Sequence, residues 1–162
     1  MNPATQTAKP EASVVRRAQS RSGEPLQIYG DLMYVKLGGS ETGGRYSLIE
    51  DVSPPGGGTP LHVHHREDEG FYVLEGEYLF EADGERFEAR TGDFVFVPRH
   101  IPHRFRNIGN TPGTILLTLE PAGLEDFFVE LAAIAGPPDP AKVAPLFEKY
   151  GLELLGPPLQ DE

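Results

Sequence analysis

The chain contains no cysteine, and this absence narrows the chemistry that it can carry. Disulfide bonds, thiol nucleophiles and thiolate metal sites are excluded, so any metal must be held by nitrogen and oxygen ligands. Positive charge is also scarce, because 14 Lys and Arg residues face 25 Asp and Glu residues in a chain of 162. Nucleic acids and anionic membranes bind clustered positive charge, so we expect neither as a partner.

The N-terminal segment has no apolar stretch of the length that a signal peptide or a membrane anchor requires. It is polar instead, and it is interrupted by Pro3, Pro10 and Pro25. We interpret residues 1–22 as a flexible tail, with a strand arm donated to a partner subunit as the alternative. These features predict a cytoplasmic protein that does not associate with membranes.

Glycine and proline are abundant, with 19 and 16 residues, and they separate many short apolar runs. Such turn-rich patterning favours an all-β body over a helical one. Asp83-Gly84 predicts a two-residue hairpin turn, because both residues readily adopt positive φ. The apolar runs predict about nine strands, within residues 26–37, 46–52, 61–64, 70–74, 78–82, 86–89, 94–97, 103–107 and 115–120.

The pattern changes after residue 121. Apolar residues then recur at helical spacing and predict an amphipathic helix, which ends at Gly136. Asp139-Pro140 predicts the N-cap and first residue of a second helix, and Gly151 is a plausible end for it. We expect both helices to cover one end or face of the β-body, in a structural role or in a dimer contact.

All five histidines of the chain fall within two blocks, residues 56–76 and 92–107. His62 and His64 are two positions apart in the first block. Because alternate side chains of a strand share a face, both imidazoles point the same way and form a chelating pair. This spacing predicts one half of a metal site.

A carboxylate and a third imidazole complete the predicted site. Glu69 lies one short turn after the histidine pair, at the start of a strand that can fold back beside it. His103 comes from a separate strand, after a bend between two prolines. Three neutral nitrogens and one carboxylate suit a divalent first-row metal, and an octahedral shell would leave two positions open for chemistry. The predicted ligands are therefore His62, His64, Glu69 and His103.

Other side chains in the two blocks are weaker candidates. His65 points outward by strand alternation, and His100 lies within the bend that precedes His103. Glu67 and Asp68 compete with Glu69 for the carboxylate role. Packing alone does not explain the main set, because burying this many unpaired polar groups is costly.

The two blocks resemble the paired motifs of the cupin superfamily. The matching positions are Gly56, His62, His64, Glu69 and Gly76 in the first motif and Gly92, Pro98, His103 and Asn107 in the second. One position departs from the pattern, since His100 stands where the family usually has glycine. The turn at this position must therefore form without the freedom of glycine at positive φ.

The resemblance implies a small jelly-roll β-barrel with one divalent transition metal at the bottom of an internal pocket. The family commonly uses iron, manganese, nickel, copper or zinc, and we favour iron or manganese here. Dimers are usual in the family, so we expect a homodimer. The predicted organisation is a tail at 1–22, the barrel at 23–121 and a helical extension at 122–162, with its helices packed on the outside.

Fold and metal do not determine the reaction, because cupins include dioxygenases, isomerases, decarboxylases, storage proteins and ligand-sensing domains. Counting by twos from Glu69 and His103 places Phe71, Val73 and Phe105 beside the predicted metal. Such a pocket favours an aromatic or otherwise apolar substrate. The leading interpretation is an oxidoreductase resembling quercetinase-like cupins, a metal-dependent dioxygenase acting with O₂ on a small aromatic or enolisable substrate. Glu69 would be both a metal ligand and a base.

Two alternatives stay open. A metal-dependent isomerase or lyase acting on a hydroxy acid or a sugar derivative would need cationic anchors. Arg66 and Arg99 flank the motifs, as do Arg104 and Arg106, but alternation from His103 turns the last two outward. The other alternative is a non-catalytic cupin that binds a small molecule.

Overall fold

The computed structural model describes residues 11–21, 23–134 and 136–161, so the first ten residues of the predicted tail and residue 22 lie outside it. Strands are the main regular structure of the described chain. They are β1 (Leu26–Ile28), β2 (Asp31–Leu37), β3 (Ser47–Ser53), β4 (Pro60–His64), β5 (Asp68–Glu75), β6 (Glu77–Ala82), β7 (Glu85–Arg90), β8 (Phe94–Val97), β9 (His103–Asn107), β10 (Gly113–Glu120) and β11 (Leu152–Pro158). The helices are α1 (Gly39–Thr42), α2 (Leu124–Ala132) and α3 (Pro140–Lys149).

The strands form two antiparallel sheets with the core between them. One sheet has the order β1-β2-β3-β10-β5-β8, and the other has the order β11-β4-β9-β6-β7. Phe71 of the first sheet packs edge-on against Phe80 and Phe105 of the second, with ring centroids 5.2 and 5.8 Å apart. The prediction of an all-β, cupin-like jelly roll with helices on the outside is confirmed.

Two hairpin turns use left-handed backbone. Asp83 and Gly84 have φ values of 51° and 80°, which confirms the predicted turn between β6 and β7. Tyr29 and Gly30 have φ values of 52° and 100° and form a second such turn, between β1 and β2. This turn was not predicted, because residues 26–37 form one apolar run and tyrosine is not a typical turn residue. The turn places Asp31 opposite Ile28 at the start of β2.

The C-terminal region contains the two predicted helices. The side chain of Asp139 accepts a hydrogen bond from Ala141 N at 3.0 Å, as expected of an N-cap. None of the three helices in the described ranges is long and apolar enough to cross a membrane.

The region also contains a strand that was not predicted. β11 pairs with β4, where Leu152 lies opposite His64 and Leu154 lies opposite His62. Its Gly156-Pro157-Pro158 sequence indicates a turn when viewed alone. β11 is an edge strand, however, and an edge strand tolerates proline. The C-terminal strand therefore flanks the strand that carries two of the predicted ligands.

The described part of the predicted tail contacts the first sheet. Ala18 N donates to Glu50 Oε1 at 2.9 Å, and Arg21 N donates to Val35 O at 2.8 Å. These contacts order residues near β2 and β3. The flexibility of the segment and the three domain boundaries stay predictions.

Candidate metal centre

The four predicted ligands lie together inside the molecule. His62 and His64 alternate on β4, Glu69 is the second residue of β5, and His103 begins β9. His62 and His103 are direct partners across the pairing of β4 with β9. One ligand atom from each of the four residues lies within 4.8 Å of the others, and all four side chains are buried.

The contacts within this cluster join ligand-type atoms. His62 Nε2 lies 3.1 Å from His64 Nε2. Glu69 Oε2 lies 3.1 Å from His64 Nε2 and 2.9 Å from His103 Nε2. Three imidazole nitrogens and one carboxylate oxygen thus face a common centre. This donor set can bind a divalent transition metal, although it does not select one metal over another.

The far ring nitrogens of two histidines are held by main-chain carbonyl groups. His62 Nδ1 donates to Pro60 O at 2.8 Å, and His103 Nδ1 donates to Ile101 O at 2.9 Å. Because a carbonyl only accepts, these bonds place the ring proton on Nδ1 and leave Nε2 free as a ligand. The two rings are therefore oriented and in the tautomer that a metal requires.

Electrostatics differ among the clustered residues. Burial, with the neighbouring His103 and His64, holds the pKa of His62 well below its usual range. Burial also opposes charge on His64, but Glu69 and Glu67 outweigh it and raise the pKa of His64 to about 9. Burial would raise the pKa of Glu69, yet His64 and His103 hold it well below its usual range. A metal would bind neutral His62 directly and would displace a proton from His64.

The two remaining histidines lie outside the cluster. His65 is exposed, with Nδ1 lying 3.0 Å from His100 Nδ1 and Nε2 lying 3.2 Å from Glu153 Oε2. His100 has a φ of 71°, so the turn before His103 does require left-handed backbone and a non-glycine residue adopts it. The outward orientation predicted for His65 is thus observed.

The charged side chains near the motifs also find partners away from the cluster centre. Glu67 Oε2 lies 3.4 Å from His64 Nδ1, behind the ligand atoms, and Asp68 accepts hydrogen bonds from Arg99. The other flanking arginines donate to Lys149 O (Arg66), Glu81 (Arg104) and Asp161 (Arg106). No lysine or arginine of the described chain lines the cavity beside the cluster.

This cavity has a volume of about 80 Å³ and is mainly apolar. Phe71 and Phe105 line it, whereas Val73 is buried in the core and is not among the described lining residues. The helices supply much of the rest of the wall, through Leu124, Phe127, Phe128 and Leu131 of α2 and Phe147 of α3. The apolar face of α2 is visible in the sequence, but its contact with the cavity depends on long-range packing.

Two further carboxyl groups line the cavity, those of Asp31 and Asp51. Neither residue belongs to the two motifs that predict the metal site. They are 20 positions apart in the sequence, and their proximity depends on the pairing of β2 with β3.

Comparison with known proteins agrees with this fold and this cluster. The model of the protein family described as the cupin domain matches residues 51–119 of this chain. The chain belongs to the cupin superfamily. The match runs from within β3 to within β10 and includes all four clustered residues, whereas α2, α3 and β11 of this cupin lie outside it.

Individual relatives cover part of the chain. An uncharacterized protein of Methanocaldococcus jannaschii is 43% identical over 74 residues, which are 46% of this chain and 59% of the relative. Quercetin 2,3-dioxygenase of Bacillus subtilis is 28% identical over 100 residues, which are 62% of this chain and 30% of that enzyme. This cupin thus spans less than two thirds of either curated relative.

A solved structure shares more of its length with this cupin. An RmlC-like cupin from Shewanella frigidimarina superposes with a TM-score of 0.59 at 27% identity. The superposition covers 72% of this chain and 96% of the other. The likeness therefore extends over nearly the whole of that cupin.

Proposed function

We propose that this cupin is a metal-dependent dioxygenase that acts on a small aromatic or enolisable substrate. The observation that carries the proposal is a buried cluster of three histidines and one glutamate beside an aromatic cavity. A redox-active ion held there, iron or manganese in the first place, would supply Lewis acidity toward a substrate hydroxyl group and electrons for chemistry with O₂. The similarity to quercetin 2,3-dioxygenase supports the same reaction class.

The protein residues would bind the metal and accept a proton from the substrate. His62, His64, Glu69 and His103 would hold the metal. Glu69 is ionised at neutral pH, because His64 and His103 hold its pKa low despite burial, so it is able to accept a proton from the substrate. A carboxylate of low pKa is a weak base, however, and the transfer requires a substrate hydroxyl group that has itself become acidic.

The cavity limits the substrate to a small apolar molecule. Its volume of about 80 Å³ is below the roughly 300–1,000 Å³ of sites for drug-sized ligands. Phe71 and Phe105 wall it on the sheet side, and Phe127 and Phe128 wall it on the helix side. An aromatic ring fits these surfaces, and the aromatic walls exclude water from the reacting atoms. The described lining offers no cationic anchor for a phosphorylated substrate.

We also propose that the protein forms a homodimer. Phe94 and Phe96 on the edge strand β8 are 57% and 58% exposed, and Tyr72 and Leu74 on the neighbouring β5 are 43% and 40% exposed. We call these four residues the aromatic patch. An apolar patch on an edge strand favours burial against a second copy, which supports the proposal. The cytoplasmic location stays a prediction.

Oxygen consumption tests the dioxygenase proposal. Wild-type protein loaded with iron, manganese or nickel is assayed in an oxygen electrode with a panel of flavonols, simple phenols and β-diketones. We expect O₂ uptake that requires both a metal and a substrate, and loss of that uptake in the His103→Ala variant. Absence of uptake with every combination of metal and substrate would refute the proposal.

A further inference from the structure

The cavity has a second polar feature apart from the metal cluster. Asp31 and Asp51 line it and are only 6% and 2% exposed. The two carboxyl groups are close enough for each to influence the pKa of the other. The Oδ1 atom of each is nevertheless buried without a hydrogen-bond partner in the described chain. Each of these two cavity-lining residues therefore has one carboxyl oxygen without a hydrogen-bond donor.

The strand pairing explains why these carboxyl groups meet. The turn at Tyr29-Gly30 begins β2 at Asp31, and two residues later Met33 pairs with Asp51 of β3. Asp31 and Asp51 are thus diagonal neighbours on one face of the sheet, within reach of each other. The geometry belongs to regular β-structure and does not depend on a mobile loop.

The carboxyl pair and the metal cluster are separated by one apolar row of the first sheet. Asp51 lies beside Ile115 of β10, whereas Glu69 lies beside Leu119 of the same strand. Leu117 lies between these two rows and lines the cavity. A ligand in the cavity therefore meets a polar group at each end and an apolar wall between them.

Burial keeps a proton on the pair near neutral pH. It raises the pKa of Asp51 well above its usual range, with contributions from Asp31 and Glu69, and it raises the pKa of Asp31 to about 7. A proton held between the carboxyl groups leaves both Oδ1 atoms as acceptors. Buried acceptors without a donor are costly, and a ligand hydroxyl group would relieve that cost.

We propose that Asp31 and Asp51 form an acceptor subsite that binds a hydroxyl group on the substrate ring, distal to the group that approaches the metal. The subsite rests on the proposed function only in sharing its cavity and its small aromatic substrate. It makes the preferred ligand a ring with hydroxyl groups at both ends, since a purely apolar ring leaves the two carboxyl oxygens unpaired.

Anaerobic calorimetry of the metal-loaded protein tests the subsite without turnover. Hydroquinone and 4-fluorophenol share the hydroxyl group that faces the metal, and they differ in the distal group, a hydroxyl donor or a fluorine of similar size. We expect wild-type protein to bind hydroquinone at least about tenfold more tightly. Equal affinities, or no binding of either compound, would overturn the proposal.

Variants of Asp31 and Asp51 test whether the preference for hydroquinone depends on these two residues. The Asp31→Leu/Asp51→Leu double variant removes both acceptors at similar side-chain volume, and it should bind the two compounds equally while elemental analysis shows that it retains its metal. Asp51→Asn keeps a carbonyl acceptor and can donate to Asp31, so it should retain most of the preference. A tenfold preference that survives in the double variant would overturn the proposal. If the double variant does not fold, the single Asp31→Leu variant replaces it, and it should show a reduced preference because it removes one of the two acceptors.

The dioxygenase proposal and the subsite proposal can be refuted independently of each other. A preference for hydroquinone in a protein that consumes no O₂ would refute the dioxygenase and leave the subsite intact. Consumption of O₂ by a protein that binds both compounds equally would refute the subsite alone.

Discussion

Neighbouring histidines of one strand segment have different surroundings because alternation turns their rings to opposite faces. His62 and His64 point inward, where carbonyl and carboxylate groups orient them. His65, the next residue, is exposed and contacts His100 and Glu153. The chain therefore contains an internal comparison between clustered and exposed imidazoles.

This contrast gives a prediction for metal content. We expect wild-type protein purified without added metal to contain one equivalent of a transition metal, and His103→Ala to lose at least about 100-fold in metal affinity, because loss of a ligand costs no less than loss of an outer partner. Elemental analysis checks both. His65→Ala is the matched control and should retain its metal. Wild-type protein without stoichiometric metal would contradict the assignment.

Three of the four clustered residues could be predicted from a local signal, whereas His103 was predicted from the second of the two motifs. Period-two alternation pairs His62 with His64, and Glu69 follows after a short turn. Asp31 and Asp51 gave no such signal, because they lie on different strands and no local spacing links them. Their partnership arises from a hairpin turn and a strand register that bring distant residues together.

The segment before β4 lies directly against β9. Thr59 N donates to Phe105 O at 3.1 Å, and Gly56 N donates to Asn107 O at 2.9 Å. A Cβ atom on Gly58 would lie 1.9 Å from Phe105 O, so only glycine permits this approach. The loop and the strand that carries His103 therefore support each other.

Gly58→Ala should accordingly destabilise the protein by about 3 kcal/mol or more, at or above the upper end of ordinary overpacking, because the conflict involves backbone atoms. Denaturant unfolding measures the change. Gly156→Ala on β11 is the matched control, since its Cβ atom would meet Leu61 at an ordinary 3.6 Å. Equal free energies of unfolding for the two variants would contradict the proposed role of Gly58.

Asn107, a residue of the second motif, has a structural role that connects two elements distant from each other in the sequence. In the sequence it is only one of the positions that match the second motif. Its Nδ2 group donates to Ser53 O and Thr111 O, and its Oδ1 atom accepts from Gly109 N. The side chain thus joins the end of β3 to the loop between β9 and β10. The strands themselves were predictable from alternation, but β11 and the role of α2 in the cavity wall depend on packing between distant elements.

The aromatic patch is a property of the whole molecule, since it combines β5 and β8 on the outer face of one sheet. We expect wild-type protein to be dimeric and Phe94→Glu/Phe96→Glu to be monomeric, because charge on the patch opposes its burial. Light scattering after size-exclusion chromatography reports the mass. Phe87→Glu, at an exposed aromatic residue of the other sheet, is the control and should stay dimeric. A monomeric wild-type protein would contradict the homodimer.

The position of α2 at the cavity has an evolutionary consequence. The segment shared with the family carries the four clustered residues, and the helices that complete the cavity wall are encoded after it. Selection can therefore change the substrate specificity of the protein through mutations in its C-terminal helices. The four clustered residues stay unchanged. Divergence between lineages should accumulate in the helices first, and specialised descendants with a common centre would differ mainly there.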